Sequence, residues 1–203
     1  IKRLTGAEAA CVVNNNAGLK IGQSIAVFGI GGVGLNIVQG ASLVSANPII
    51  AVDKYASKLE MAKQFGATHV INSAELNPET EVLKISGPGG VDVAVDTTGL
   101  VSLIEQAYEV TSPRGRTVLV GVPPAGNKVS IYTLPLHFEK VLTGSHGGEA
   151  DPATDIPRYA DLCRLGKLRL REMITRTFAL DQINDAIEAM RGGEAGRFII
   201  QMA

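Results

Sequence analysis

The sequence predicts an α/β fold, a doubly wound six-stranded parallel sheet, followed by a closing segment of different build. Three observations predict it. Short apolar runs alternate with amphipathic stretches from Ser24 to Gly144, the rhythm of a parallel sheet covered on both faces. A turn of spacing G-x-G-x-x-G, Gly29-Ile30-Gly31-Gly32-Val33-Gly34, stands between the first apolar run and the first long helix. After Gly147-Gly148 the alternation stops.

Taken in order, Ala7 to Asn16 reads as a lead-in helix, with Gly18 past its end and Gly22 in the turn before the sheet. Ser24-Ile25-Ala26-Val27-Phe28 is the first strand, and Leu35 to Ala46 the helix after the glycine turn. Ile49-Ile50-Ala51-Val52 is the second strand and ends in Asp53. Tyr55 to Phe65 is an amphipathic helix stopped by Gly66, and His69-Val70-Ile71 is a short third strand. Glu79 to Ile85 is a short helix, and Val91 to Asp96 the fourth strand. Val101 to Val110 is helical until Pro113-Arg114-Gly115 breaks it, and Thr117 to Val120 is the fifth strand. Val129-Ser130-Ile131-Tyr132 is a short extended piece, and Val141 to Gly144 the sixth strand. In the closing segment Ile156 to Leu165 is a helix and Ile174 to Leu180 is extended. Asp181 caps a helix through Met190, and Phe198 to Met202 is a last strand.

The glycine turn carries the chemistry. Gly29 permits a tight turn. Gly31, lacking Cβ, lets a pyrophosphate approach the backbone, and Gly34 lets the helix lie close on the strand. Free N–H groups at the helix start attract phosphate. Asp53 falls about 20 residues past the last glycine, where a carboxylate accepts hydrogen bonds from an adenosine ribose. Strand, glycine turn, helix, strand and acid together form the context of a dinucleotide site. The acid favours NAD over NADP, because it repels a 2′-phosphate; Lys54 beside it works the other way.

Bulk properties narrow the classes. The chain has 203 residues, 45% of them hydrophobic, and a net charge of −1. This suffices for one sizeable core and gives no general attraction to nucleic acid or anionic membrane. No apolar run reaches the roughly 20 residues that span a bilayer, and no signal peptide stands at the start. The first residue is Ile1 rather than Met, so a fragment of a longer protein is expected. Only Cys11 and Cys163 occur, without histidine at metal-ligand spacing, so a cytoplasmic setting is expected and no metal site within this chain.

Nearly the whole chain resembles the C-terminal half of the zinc-dependent medium-chain alcohol and polyol dehydrogenases. The matching stretches include Lys20 to Ser24, Val27 to Gly34, Val52-Asp53 with Lys58, Phe65 to Thr68, Gly90 to Asp92, Val120 to Pro123 and Gly196-Arg197. The resemblance implies a lead-in helix over 1–23 and an NAD-binding Rossmann domain over 24–145. It implies that 146–203 is the C-terminal part of a split catalytic domain. By the same resemblance Asp53 and Lys58 hold the adenosine ribose and Arg197 reaches the pyrophosphate. Gly29, Gly31, Gly32, Val33 and Gly34 line the cofactor, and Val122 and Ser145 lie near the nicotinamide. The family's zinc ligands lie mostly in an N-terminal half. Where many members have another cysteine, this chain has Ile1 or Leu4, according to the register chosen. Zinc is therefore expected only if that absent half supplies it.

The function expected is hydride transfer between NAD(H) and an alcohol or polyol, or its carbonyl product, with a small-molecule substrate. The isolated chain should be nearly inactive without the N-terminal half. The alternatives are a non-catalytic NAD-binding module and a zinc-independent enzyme of the quinone-reductase kind. His146, after the last sheet strand, is the one candidate for proton transfer. A homodimer is expected through Val129 to Tyr132, which matches the segment that pairs in the family and would otherwise be an open edge.

Overall fold

The computed structural model describes residues 8–202. Six strands form one parallel sheet: β1 (Ile25–Phe28), β2 (Ile49–Asp53), β3 (His69–Asn72), β4 (Val91–Asp96), β5 (Thr111–Leu119) and β6 (Val141–Gly144), in the order β3-β2-β1-β4-β5-β6. Parallel pairing runs throughout, with Ile25 opposite both Ile49 and Val93 at the centre. The doubly wound expectation holds.

Alternation along β1 explains why both faces need helices. Ile25 and Val27 enter one core with Leu35, Ile37 and Val38 of α2 (Gly32–Leu43). Ala26 and Phe28 enter the other, with Val82 of α4 (Pro78–Ser86) and Ala107 of α5 (Val101–Glu109). Each β1 residue is fully buried, as a central strand of a covered sheet requires. Helix α3 (Ala56–Gln64) lies on the α2 side and contributes Leu59 and Ala62. Asn77 caps α4 through Oδ1, which accepts from Thr80 N at 2.9 Å, and Pro78 begins the helix.

Several boundaries depart from the sequence reading. The lead-in helix has a short α turn, α1 (Glu8–Cys11), and continues as a π-helix, Val12–Asn16; Ala7 lies outside the described residues. Helix α2 begins at Gly32 rather than Leu35, its low-propensity glycines overridden by packing on β1. Strand β5 starts at Thr111 and runs through Pro113-Arg114-Gly115. Val91 pairs with Thr111 and Val93 with Arg116, so the proline sits in a bulge. Gly115 closes that bulge, since a Cβ there would lie 2.7 Å from Asp92 O. Val129 to Tyr132 joins no strand ladder. It is pinned to α5 instead, where Ser130 N donates to Glu105 Oε1 at 2.7 Å and Tyr108 Oη to Tyr132 O at 2.7 Å.

Past β6 come α6 (Pro152–Arg164), β7 (Ile174–Ala179), α7 (Ile183–Arg191) and β8 (Arg197–Gln201). Strands β7 and β8 pair in parallel as a separate sheet. Asp181 does not cap α7: Leu180–Gln182 forms a 3-10 turn, and Gln182 takes the N-cap position. This unit is fastened to α2. Gln39 Nε2 donates to Met173 Sδ at 3.4 Å, and Gln39 Oε1 accepts from Arg169 N at 2.8 Å. Arg197 N in turn donates to Met173 O at 2.7 Å.

Candidate functional site

A cleft of about 350 Å³ opens at the carboxyl ends of β1, β2 and β4. Strands β2 and β4 flank β1, and strand order reverses there, the place where open parallel sheets bind ligands.

The glycine turn forms one wall. Gly29 has φ +91°, and a Cβ there would meet Thr97 Oγ1 at 2.6 Å. Thr97 Oγ1 in turn donates to Gly29 O at 2.8 Å. A Cβ on Gly34 would lie 2.0 Å from Gly29 O, so the helix rests directly on the turn. Gly31 differs: a Cβ there meets nothing within 4 Å, leaving its face open to the cleft. It is the N-cap of α2 and supplies no side-chain cap, so the first N–H groups of the helix await an acceptor.

Asp53 closes the second wall. Its Oδ2 accepts from Ile30 N at 2.7 Å and its Oδ1 from Tyr55 N at 3.0 Å. The carboxylate therefore braces the glycine turn as well as facing the cleft, a role that spacing alone does not reveal. Lys58 lines the same cleft, as do Val33 and Gly32.

Arg197 arrives from β8. A Cβ on Gly32 would stand 2.9 Å from Arg197 Nε and 3.2 Å from Nη2, so the guanidinium lies over the start of α2. Its Nε is buried without a hydrogen-bond partner, and burial lowers the group's pKa from its usual value. A buried donor left unpaired is costly, and an anion at the start of α2 would satisfy it. These residues fit a pyrophosphate.

Other predicted residues lie elsewhere. Val122, 87% exposed, stands on the turn after β5 and is not part of the cleft wall. Its carbonyl abuts Gly99, where a Cβ would come within 2.6 Å. Ser145 Oγ donates to Asn16 Oδ1 at 2.8 Å and accepts from Gly148 N at 3.2 Å, which ties it to the π-helix. His146 is exposed ahead of the turn Gly147–Glu149.

Sequence reasoning missed three contributors. Asp96 is fully buried and organises the turn after β4, accepting from Thr98 Oγ1 at 2.6 Å and Gly99 N at 2.9 Å. An acid at a strand end before Thr-Thr-Gly was the available signal. Thr97 holds Gly29, as described. Tyr55 lines the cleft two residues past Asp53.

Among the described residues no three His, Cys, Asp or Glu side chains converge to hold a metal. Ile1 and Leu4, considered for the ligand position, lie outside the described residues. The donor set described here does not fit zinc. Cys11 is buried and meets Tyr159, whose hydroxyl pKa is raised first by burial and then by that contact.

Known proteins are similar to this chain in sequence and in geometry. Residues 32–164 match the family model of the zinc-binding dehydrogenases. S-(hydroxymethyl)glutathione dehydrogenase from Paracoccus denitrificans is 37% identical over 195 residues, a span that takes in 93% of this chain and 52% of that protein. The benzyl alcohol dehydrogenase structure from Acinetobacter calcoaceticus superposes with a TM-score of 0.92 at 32% identity, over 98% of this chain and 54% of the other. A structure of the zinc-binding dehydrogenase kind from Sinorhizobium meliloti 1021, bound to NADP, gives a TM-score of 0.80 at 28% identity, over 98% and 58%. The chain thus spans about half the length of the relatives it matches.

Proposed function

Because this chain belongs to the zinc-binding dehydrogenase family, we propose that it is the NAD(H)-binding part of an oxidoreductase moving hydride between nicotinamide and an alcohol or polyol, or its carbonyl product. The observation that carries this reading is the buried, unpartnered Arg197 Nε over Gly32, beside the open face of Gly31.

When bound, the dinucleotide supplies the hydride donor or acceptor. The protein's part is to bind and orient it. Gly31, Gly32 and Arg197 take the pyrophosphate; Asp53 and Lys58 take the adenosine ribose, with Asp53 favouring a free 2′-hydroxyl. Val33, 37% exposed in the cleft, offers an apolar surface to the nicotinamide and keeps water from it. Val122 and Ser145 approach from the carboxyl ends of β5 and β6, and His146 is the candidate for moving a proton there. No step is assigned to zinc on this chain.

We divide the chain into a cofactor domain over 24–145, with 1–23 leading in, and a segment 146–203 that completes a split catalytic domain. The second sheet, β7 with β8, supports that division. We assign dimerisation to Val129 to Tyr132, supported by the 38% exposure of Val129 and 62% of Tyr132. The setting proposed is cytoplasmic.

The test is a calorimetric titration of the chain with NADH and NADPH. NADH binding that is lost in Gly31→Val supports the reading. Absence of binding by either nucleotide refutes it, and tighter binding of NADPH refutes the NAD assignment. A monomer by light scattering at micromolar concentration refutes the dimer.

A further inference from the structure

The adenosine end of the cleft holds more positive charge than an unmodified ribose requires. Lys54 follows Asp53 directly and Lys58 sits in the first turn of α3; both line the cleft. Lys54 Nζ stands 5.0 Å from the centroid of the Tyr55 ring, and Lys58 Nζ 4.7 Å. The ring is a fixed platform. Gly193 backs onto it so closely that a Cβ there would fall 2.3 Å from Tyr55 Cζ. Neither ammonium is paired with a carboxylate among the described residues.

The carboxylate that shares the cleft with them is already committed. Asp53 is 9% exposed, and both its oxygens accept backbone N–H groups, from Ile30 and Tyr55. Its charge is drawn into the glycine turn while two cations stand at the rim. An exposed cation–π contact is weak, so either lysine can leave the ring for a stronger anion. Lysine's compact charge on a flexible stem suits a phosphate that approaches from the open side.

We propose, on the basis of the dinucleotide reading above, that Lys54 is a specificity-determining residue admitting a 2′-phosphomonoester on the adenosine ribose. Lys58 serves both forms of the cofactor; Lys54 serves only the phosphorylated one. The chain then binds NADPH nearly as well as NADH, with NADH keeping a modest lead. Asp53 alone would have excluded the phosphate.

The experiment titrates the 203-residue chain with NADH and with NADPH at low and high salt, followed by nicotinamide fluorescence; the chain contains no tryptophan to interfere. The expected NADPH affinity lies within about tenfold of NADH, and Lys54→Ala widens that gap by about five- to tenfold. Lys54→Arg keeps the gap narrow. NADPH binding falls more steeply with salt than NADH binding, and Lys54→Ala removes part of the difference. NADH binding with a ratio unmoved by Lys54→Ala overturns the inference alone, as does a gap beyond about a hundredfold in the unsubstituted chain. No binding of either nucleotide overturns the dinucleotide reading, and the role of Lys54 falls with it.

Discussion

Gly31 and Gly34 are three residues apart in one turn, yet alanine at each should have opposite consequences. At Gly34 the new methyl group would lie 2.0 Å from Gly29 O and 3.6 Å from Ile30 Cδ1. The first contact sets the methyl against a backbone oxygen, so no side chain can swing away. Either α2 lifts from the sheet or the turn flattens, and both are built into a fully buried strand end. Overpacking of this kind costs about 1–3 kcal/mol, with a rigid contact at the upper end. At Gly31 the methyl meets nothing within 4 Å, and the backbone, φ −82° and ψ −167°, is one any residue adopts. Two small terms then oppose. Lower unfolded-state entropy contributes about 0.4–1 kcal/mol, and alanine is a poorer N-cap than glycine by a similar amount. The net change in stability is near zero. Cofactor affinity should instead fall, because the methyl occupies the space where the pyrophosphate approaches. Urea unfolding followed by far-UV circular dichroism gives the first quantity, and NADH titration the second. Equal unfolding midpoints for Gly34→Ala and the unsubstituted chain would refute the packing argument. Unaltered NADH affinity in Gly31→Ala would refute the placement of the pyrophosphate.

Three further outcomes are expected. Asp53→Asn turns an amide donor toward either Ile30 N or Tyr55 N, leaving one N–H unpaired, and should cost about 1–3 kcal/mol without any cofactor present; an unchanged urea midpoint would contradict the bracing role. Arg197→Met should weaken NADH binding by about ten- to a hundredfold. It should leave the unfolding midpoint unchanged or slightly raised, since it removes a buried unpaired donor; a large loss of stability would mean that the guanidinium is structural. Asp151 caps α6, and its pKa is lowered first by the hydrogen bond from Thr154 and then by that from Ala153 N. Its folded value lies below its unfolded one, so its contribution is complete above about pH 3.9 and fades as pH falls through the folded value. Acid titrations should show the unsubstituted chain separated from Asp151→Asn by a constant margin above about pH 3.9, the margin closing as pH falls through the folded value.

Where local pattern and tertiary demand agree, the chain can be read directly. Val91 to Asp96 and Val141 to Gly144 are strands over the residues their apolar pattern marks. The glycine turn, Asp53 and Lys58 meet in one cleft because a strand, a turn and a helix of ordinary length place them there. Pro113 misleads because a proline reads as a stop, and only the pairing partner β4 reveals a bulge that tolerates it. Gly32 and Val33 look too poor as helix formers to begin α2, yet the helix starts there, carried by the Leu35, Ile37 and Val38 face that packs on β1. Tyr55 has no local signature at all: its place depends on Gly193, far along the chain. Arg197 falls between these cases, since the resemblance points to it while its contact with Gly32 depends on β8 reaching back across the molecule.

Among the described residues, strands β7 and β8 pair with no strand but each other. Such a ribbon has two open rims, and Ile174, 39% exposed, and Ile199, 40% exposed, lie along it. Unpaired rims are templates for strand addition. Stored at high concentration, this chain should accumulate larger species slowly, visible as scattering that rises over days. A lysine in place of Ile199 should suppress that growth.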